Sequence, residues 1–405
     1  MTINIPRDVR DILAKLELYG HEAYVVGGCV RDALQGKQPK DWDITSSAMP
    51  KEVKRYFART FDTGIKHGTV TVVLDHANYE VTTYRTDGVY SDMRHPDTVT
   101  FTRKLEDDLA RRDFTINAMA YNPARGIVDP FGGQKDLAAR LVSCVGNPRE
   151  RFNEDALRMM RAARFAGQLN ALIEKKTYDA IVSTAPNLCH ISVERIRDEF
   201  VKIMMNSPYC LNILIDTGLI NHFPMPAPLE DEARRFAREM NLSALSFDGN
   251  KLPYNLAVAL AVLLRGRDRE NAAWFLRKWR FDNNTVRKVS ALIHWSKQGM
   301  EGGPANFRRF VAGCGKCLFK EVIAVKLLTR VVGEDKTERA LREFELIIDH
   351  GDCLSIKDLK IDGHVLMSMG YVGREIGGAL SKLLDAVLDD PSLNDRDKLA
   401  QILQS

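Results

Sequence analysis

Asp41 and Asp43 stand on either side of one residue in the run Asp41-Trp42-Asp43-Ile44. In an extended chain alternate side chains share a face, so the two carboxylates are expected to point the same way along one strand. Held that close they repel each other unless something positive lies between them, and hard divalent cations prefer oxygen ligands. Shortly upstream, Gly27-Gly28 follows the apolar run Tyr24-Val25-Val26. Neither glycine carries a Cβ, so backbone there can come close to a ligand. Val30 to Leu34 can open a helix whose free N–H groups suit a phosphate, and Arg31 adds a charge beside them. A phosphate-cradling turn followed by paired carboxylates points to metal-dependent chemistry on a nucleoside triphosphate.

Two other places carry chemistry. Glu80 lies in Tyr79-Glu-Val-Thr-Thr-Tyr84, a strand-like run expected to neighbour the one bearing Asp41 and Asp43, and could serve as a third carboxylate. Farther along, Asp155, Arg158, Arg161 and Arg164 recur at a constant interval within a helical pattern spanning Arg149 to Leu169. Asp155 and Arg158 would then be neighbours on a helix surface, while the row as a whole drifts around the axis. A carboxylate beside a guanidinium fork can match the edge of a nucleobase. By composition alone, the same residues also describe a helix laced with ion pairs on a solvated face.

These residues need elements to hold them. Val9, Ile12, Leu13 and Leu16 have the spacing of a short amphipathic helix, and Thr69 to Leu74 and Tyr79 to Tyr84 read as strands joined by a turn. Arg85 to Lys104 is polar and long for a hairpin connection, a candidate mobile loop. Leu105 to Ala120 resumes a helical pattern and contains Arg111-Arg112-Asp113. Beyond Val145 strand signals stop and helical periods take over, punctuated by Pro and Gly. The expected class is α+β: a mixed-sheet head at residues 1–140, then an all-α neck at 141–206, body at 207–300 and tail at 301–405.

Bulk properties bound the rest. At 405 residues the chain is too long for one ordinary core, and 45% hydrophobic with 28% charged residues describes a globular, water-soluble protein. A net charge of +4 provides no basic tail, so any nucleic-acid surface must be local. Arg and Lys do outnumber acids between Leu264 and Lys288, interleaved with Trp274, Phe275, Trp279 and Phe281, a pattern that suits either RNA backbone or a core. The longest apolar run, Leu256 to Leu264, is far short of a membrane span. The first residues lack the order of a signal peptide. A single Cys314-x-x-Cys317 does not make a zinc pattern. The expected setting is the cytoplasm, with no membrane and no protein partner evident.

Taken together, these stretches resemble the class II tRNA nucleotidyltransferases, the CCA-adding enzymes, whose near relatives are the bacterial poly(A) polymerases. The matching text is YVVGGCVRDAL, DWDIT, GIKHGTVTVV, YEVTTYRTDG, RRDFTINAMA, DPFGGQKDL, VGNPRERFNEDALRMMRAARFA and ISVERIRDEF. The tail segment DLKIDGHVLMSMGYVGREIGGAL is similar more loosely. The resemblance implies a polymerase-beta-type nucleotidyltransferase head followed by helical neck, body and tail. It implies catalytic metal (Mg²⁺) at Asp41 and Asp43, with Glu80 the third carboxylate. Gly28, Arg31 and Arg112 would hold the phosphates of the incoming nucleotide, and Asp113 would contact its ribose. Asp155 and Arg158 would hydrogen-bond the base of CTP or ATP, with Arg161 and Arg164 as further nucleotide-binding positions. The partner would be tRNA. A poly(A) polymerase, or an enzyme that adds only CC, would share the head motifs. The intact stretch from Thr86 to Lys104 and the tail text favour full CCA addition.

Overall fold

The computed structural model describes residues 3–90, 96–223, 229–240, 242–247 and 250–404. Helix α1 (Arg7–Leu18) buries Val9, Ile12, Leu13 and Leu16, which share one helix face. Strand β1 (Ala23–Val26) is buried at every residue. Ala23 and Val25 join Val9, Ile12 and Leu16 in one core cluster, while Tyr24 and Val26 join Leu105, Leu109 and Val145 in another. Both faces of this strand are therefore covered, which is why it reads as an unbroken apolar run.

There follow α2 (Gly28–Leu34), β2 (Ile44–Ser46), α3 (Pro50–Tyr56), β3 (Thr60–Gly64), β4 (Thr69–Leu74) and β5 (Ala77–Thr83). Next come β6 (Arg85–Asp87), β7 (Val99–Phe101), α4 (Leu105–Ala110), β8 (Ala120–Asn122), β9 (Gly126–Val128) and α5 (Gly133–Ala138). Seven of these strands form one sheet in the order β3-β4-β5-β2-β1-β8-β9. β2 runs parallel to β5 with Ile44 opposite Val81, and antiparallel to β1. The sheet is thus mixed, as expected of the head.

Three local expectations need correction. Regular strand begins at Ile44 and not at Asp41, although the Val26 N–H donating to the Asp43 carbonyl (3.0 Å) carries the pairing one residue back. The stretch from Arg85 to Lys104 contains a hairpin, β6 against β7 with Arg85 opposite Phe101, where a loop is expected; residues 91–95 of that stretch lie outside the described residues. Leu105 to Ala120 is not one helix. α4 stops at Ala110 because the next backbone groups are drawn elsewhere: the Thr115 N–H donates to the Ser143 carbonyl, and the Val145 N–H to that of Asp113.

The chain continues with β10 (Leu141–Val142), α6 (Pro148–Glu154), α7 (Leu157–Gln168), β11 (Leu172–Ile173), α8 (Lys175–Thr184), α9 (Val193–Asn206), α10 (Leu211–Asp216) and α11 (Glu230–Glu239). β10 and β11 pair in parallel, so strand does persist past Val145, in pieces too short to show a period. The helix expected from Arg149 to Leu169 is broken at Asp155, whose backbone is extended (φ −145°) and whose carboxylate accepts the Leu157 N–H at 3.1 Å. Asp155 thereby satisfies a free donor at the start of α7, as a capping residue does.

By internal contacts the chain divides into two compact units, Met1–Ala237 and Arg238–Ser405. The second holds a short hairpin, β12 (Ser246–Phe247) with β13 (Asn250–Lys251), and otherwise helices: α12 (Leu256–Leu263), α13 (Arg269–Lys278), α14 (Asn283–Lys297), α15 (Pro304–Cys314), α16 (Lys316–Leu328), α17 (Glu334–Asp349), α18 (Gly363–Ser368), α19 (Arg374–Asp389) and α20 (Arg396–Gln404). Phe275 and Trp279 are wholly buried while Trp274 is exposed, so most of the aromatic interleaving there is core. Lys326 is buried as well, and its ammonium donates to the carbonyls of Ser296 (3.0 Å) and Gln298 (2.6 Å), satisfying acceptors at the end of α14. Cys314 is buried and Cys317 exposed. No helix among the described residues is long and apolar enough to cross a membrane.

Candidate active site

The acidic side of the site is built by β2 and β5. Asp41 and Asp43 are exposed, while Trp42 (7% exposed) and Ile44 (1%) are buried, so the alternation expected of a strand holds even where regular pairing has not begun. The parallel register that sets Ile44 against Val81 puts Asp43 and Glu80 at adjacent positions. Their electrostatics agree. Desolvation raises the Asp43 carboxyl above the usual range, Arg112 pulls it back, and Asp41 pushes it up again. Glu80 is raised by desolvation and then by Asp43 and Asp41. Three carboxylates thus feel one another, with Arg112 as counter-charge. Among the described residues, no three His, Cys, Asp or Glu side chains are gathered tightly enough to hold a metal ion by themselves. Magnesium does not need such a cage, because it uses one or two carboxylates and completes its shell with water and substrate phosphate.

The Gly27-Gly28 turn lies beside two guanidinium groups. Gly27 has φ 81°, the left-handed region that glycine adopts without strain, and its N–H donates to the Met119 carbonyl at 3.0 Å. A Cβ on Gly27 would come within 2.9 Å of Arg112 Nη1, and one on Gly28 within 3.7 Å of Arg31 Nη2. Arg31 is buried and gives Nε to Asp32 (2.9 Å) and Nη1 to Asn117 (2.6 Å). Arg112 is oriented by Asp108, which has no exposed surface; the Nη2–Oδ2 distance is 3.3 Å. Asp108 also accepts Arg111 Nε (3.0 Å) and Nη2 (2.8 Å) and the Thr45 hydroxyl (3.2 Å). Burial pushes its carboxyl up, but Arg112 and Arg111 outweigh that and hold it below the usual range. Asp108 therefore ties the arginines of the RRD motif to the strand that follows Asp43. Sequence reasoning missed it, since one acid in Glu106-Asp107-Asp108 has nothing in its surroundings to single it out.

The arginine side drifts around α7 as its spacing requires, and each member meets a different element. Arg158 donates Nη1 to Glu154 (2.5 Å) and Nη2 to the Arg111 carbonyl (3.2 Å). Arg161 donates Nε (2.7 Å) to Asp113 and has Nη2 at 2.6 Å from the same oxygen. Arg164 donates Nε to Glu199 on α9 (2.6 Å). Asp155 is paired with Arg195 of α9, through Nη1 (3.2 Å) and Nη2 (2.8 Å), and not with Arg158. Arg195 was also missed, although it lies inside ISVERIRDEF. Asp113 is buried, and its oxygens accept from Arg161 twice, from the Phe114 N–H (2.9 Å) and from Asn117 (3.1 Å), which fills the acceptor capacity of a carboxylate. Despite burial, Arg161 and Asn117 hold its carboxyl down at about 2.

A cleft of about 410 Å³ gathers part of this set. Its lining includes Glu80 from the sheet, Asp87 and Tyr90 from the β6–β7 hairpin, and Arg111, Asp155 and Arg158. Asp41, Asp43, Arg31 and Arg112 lie outside that lining. Glu80 of the carboxylate cluster and Asp155 and Arg158 near the start of α7 therefore share one open space, although Glu80 and Arg158 are far apart in sequence.

A family model described as the poly A polymerase head domain matches residues 23–143, and one described as a probable RNA and SrmB-binding site of polymerase A matches residues 172–229. The class is thus a nucleotidyltransferase with a head of the poly(A) polymerase type. The CCA-adding enzyme of Geobacillus sp. (strain WCH70) is 44% identical over 93% of this chain and 90% of its own length, and that of Lactobacillus gasseri is 38% identical over 97% and 95%. The crystal structure of the Bacillus stearothermophilus CCA-adding enzyme in complex with CTP matches with a TM-score of 0.83 at 32% identity, over 98% of this chain and 96% of that one. The chain belongs to the CCA-adding enzyme family.

Proposed function

We propose that this protein adds C, C and A to the 3′ end of tRNA without a nucleic-acid template, using CTP and ATP. The tRNA 3′-oxygen bonds to the α-phosphorus of the nucleotide as the bond to pyrophosphate breaks, and the hydroxyl proton is lost. The observation that carries the reading is the shared cleft, which brings Glu80 together with Asp155 and Arg158. Family membership supports it: relatives are named CCA-adding enzymes, and solved structures describe such enzymes with CTP, with ATP and with tRNA.

In this reading Asp41 and Asp43 hold Mg²⁺, and Glu80 is the third catalytic carboxylate. Bound there, magnesium supplies Lewis acidity toward the α-phosphate and lowers the pKa of the attacking hydroxyl. The rest is positioning and electrostatics. Gly28, Arg31 and Arg112 grip the triphosphate, with Asp108 fixing the direction of Arg112. Asp155 and Arg158 present an acceptor and a donor fork to the base edge, a protein template in place of a paired strand. Arg161 and Arg164 complete the nucleotide site. A ribose contact at Asp113 would have to displace one of its present donors; we assign Asp113 to holding Arg161. Residues 1–140 form the catalytic head, 141–206 the neck with the selecting helix, 207–300 the body and 301–405 the tRNA-binding tail. The reaction belongs in the cytoplasm, in keeping with seven cysteines that are all free.

The test is a tRNA transcript ending before CCA, incubated with Mg²⁺ and CTP, ATP or both. Ordered addition of C, C and A followed by arrest is the expected result. Unlimited A-tailing would replace this reading with poly(A) synthesis, arrest after CC with CC addition, and inertness would remove it.

A further inference from the structure

Arg31 sits on α2 and Arg161 on α7, yet a continuous hydrogen-bonded path joins them, buried up to the one-third-exposed Arg161 side chain. Arg31 Nη1 donates to Asn117 Oδ1 at 2.6 Å. Asn117 Nδ2 donates to Asp113 Oδ1 at 3.1 Å, and Asp113 Oδ2 accepts Arg161 Nε at 2.7 Å. Arg31, Asn117 and Asp113 are 6%, 7% and 7% exposed. The Asn117 amide offers an acceptor to a guanidinium and a donor to a carboxylate at once, from two separate atoms. An aspartate at 117 would put like charge against Asp113, and an apolar residue would leave both partners unmade in a buried setting.

A second contact ties the same pair. Phe165 of α7 lies under three guanidinium groups, Arg164 at 4.1 Å, Arg31 at 5.1 Å and Arg161 at 5.3 Å from its ring centre. Three like charges around one ring are tolerated because each has its own carboxylate: Glu199 for Arg164, Asp32 for Arg31 and Asp113 for Arg161. Moving any one of them alters the balance felt by the others.

We infer that Asn117 is a positioning residue that couples the triphosphate grip at Arg31 to the base-selecting helix through Asp113 and Arg161. This rests on the nucleotidyltransferase reading above. Asn117 does not touch the reacting atoms. It makes the placement of Arg161 depend on what Arg31 is doing, so base inspection by α7 is tightened when a triphosphate is in place.

The test is a double-mutant cycle on the full chain, with CTP affinity measured by calorimetry. Arg31→Lys and Arg161→Lys are combined with Asn117 present, with Asn117→Ala, and with the milder Asn117→Ser in case the alanine variant does not fold. With Asn117 present, the two losses should fail to multiply by about tenfold. With either replacement the discrepancy should shrink to less than about twofold. Equal coupling with and without Asn117, or simple multiplication in its presence, would overturn the inference, because a merely structural asparagine lowers affinity without changing coupling. If Arg31→Lys leaves CTP affinity untouched, the phosphate assignment itself has failed. If it weakens CTP but the cycle does not depend on Asn117, only the coupling is lost.

Discussion

The acidic and the basic halves of the site are built on opposite plans. Asp41, Asp43 and Glu80 are exposed, and desolvation together with acidic neighbours raises the carboxyls of Asp43 and Glu80, with Arg112 as the counter-charge at Asp43. Arg158, Arg161 and Arg164 are each tied to a carboxylate on a separate element, and Asp155 is held by Arg195. The acids are left in tension that a cation would relieve, whereas the arginines are fixed before any nucleotide arrives. The carboxylate half is left uncompensated, as suits the cation site proposed for it. The arginine half is made rigid, as preorganised recognition of the base proposed for it requires.

The comparison breaks most visibly at Asp43. Asp43→Asn should reduce nucleotide incorporation by roughly a thousandfold, since the metal contributes several kcal/mol at tenfold per 1.36 kcal/mol. The same variant, free of metal, should melt no lower than the wild type, because a strained negative charge has been removed. A fall in melting temperature alongside the loss of activity would mean that Asp43 is part of the scaffold and not held in tension. On the other half, Arg158→Ala should lower CTP and ATP incorporation and relax discrimination against GTP and UTP by about 10- to 100-fold, the range for losing a good bidentate contact to a base. Competition assays with mixed nucleotides read this directly. Arg195→Ala should cost about tenfold in the same discrimination, by leaving Asp155 without its bidentate partner. Unchanged selectivity in that variant would show that Asp155 is held by its bond to the Leu157 N–H alone.

A further effect is thermal. Because Asp43 and Glu80 are raised in the folded head, the fold binds more protons than the unfolded chain above the ordinary carboxylate range, and metal-free stability falls as pH rises through it. Asp113 behaves in the opposite sense. Held at about 2, it contributes fully above its unfolded value and loses that contribution only as pH drops toward 2. Magnesium should therefore add a stabilisation that grows with pH from the ordinary carboxylate range toward neutrality. At a hundred times its dissociation constant the increment is about 2.7 kcal/mol, a shift of some degrees in scanning calorimetry. A magnesium increment that is flat with pH would separate ion binding from these carboxylates.

The legible parts of the molecule were those with a period. The alternation through Asp41-Trp42-Asp43-Ile44 and the β-branched run around Glu80 were readable because burial on one face imposes a period of two. The neighbouring of β2 and β5 followed from them. What escaped was set by contacts between distant residues. No Gly or Pro marks the break at Asp155; it arises because an aspartate there can cap α7 and be held by Arg195 from α9. Asp108 looks like any acid of a short helix until Arg111, Arg112 and Thr45 are brought around it. The β6–β7 and β10–β11 pairings are too brief for periodicity to register.

The parallel pairing of β2 with β5 has a bearing on how the molecule comes into being. Asp43 and Glu80 become neighbours only after α3, β3 and β4 have been made and the crossover between the two strands has closed. On the ribosome, the amino-terminal segment that already carries Asp41 and Asp43 has no third acid beside it until Thr83 has emerged and β5 has docked. With the metal role proposed above, capture of a divalent ion by the complete acid set would report that the centre of the sheet has finished assembling, and a half-made chain would be barred from the chemistry by topology alone.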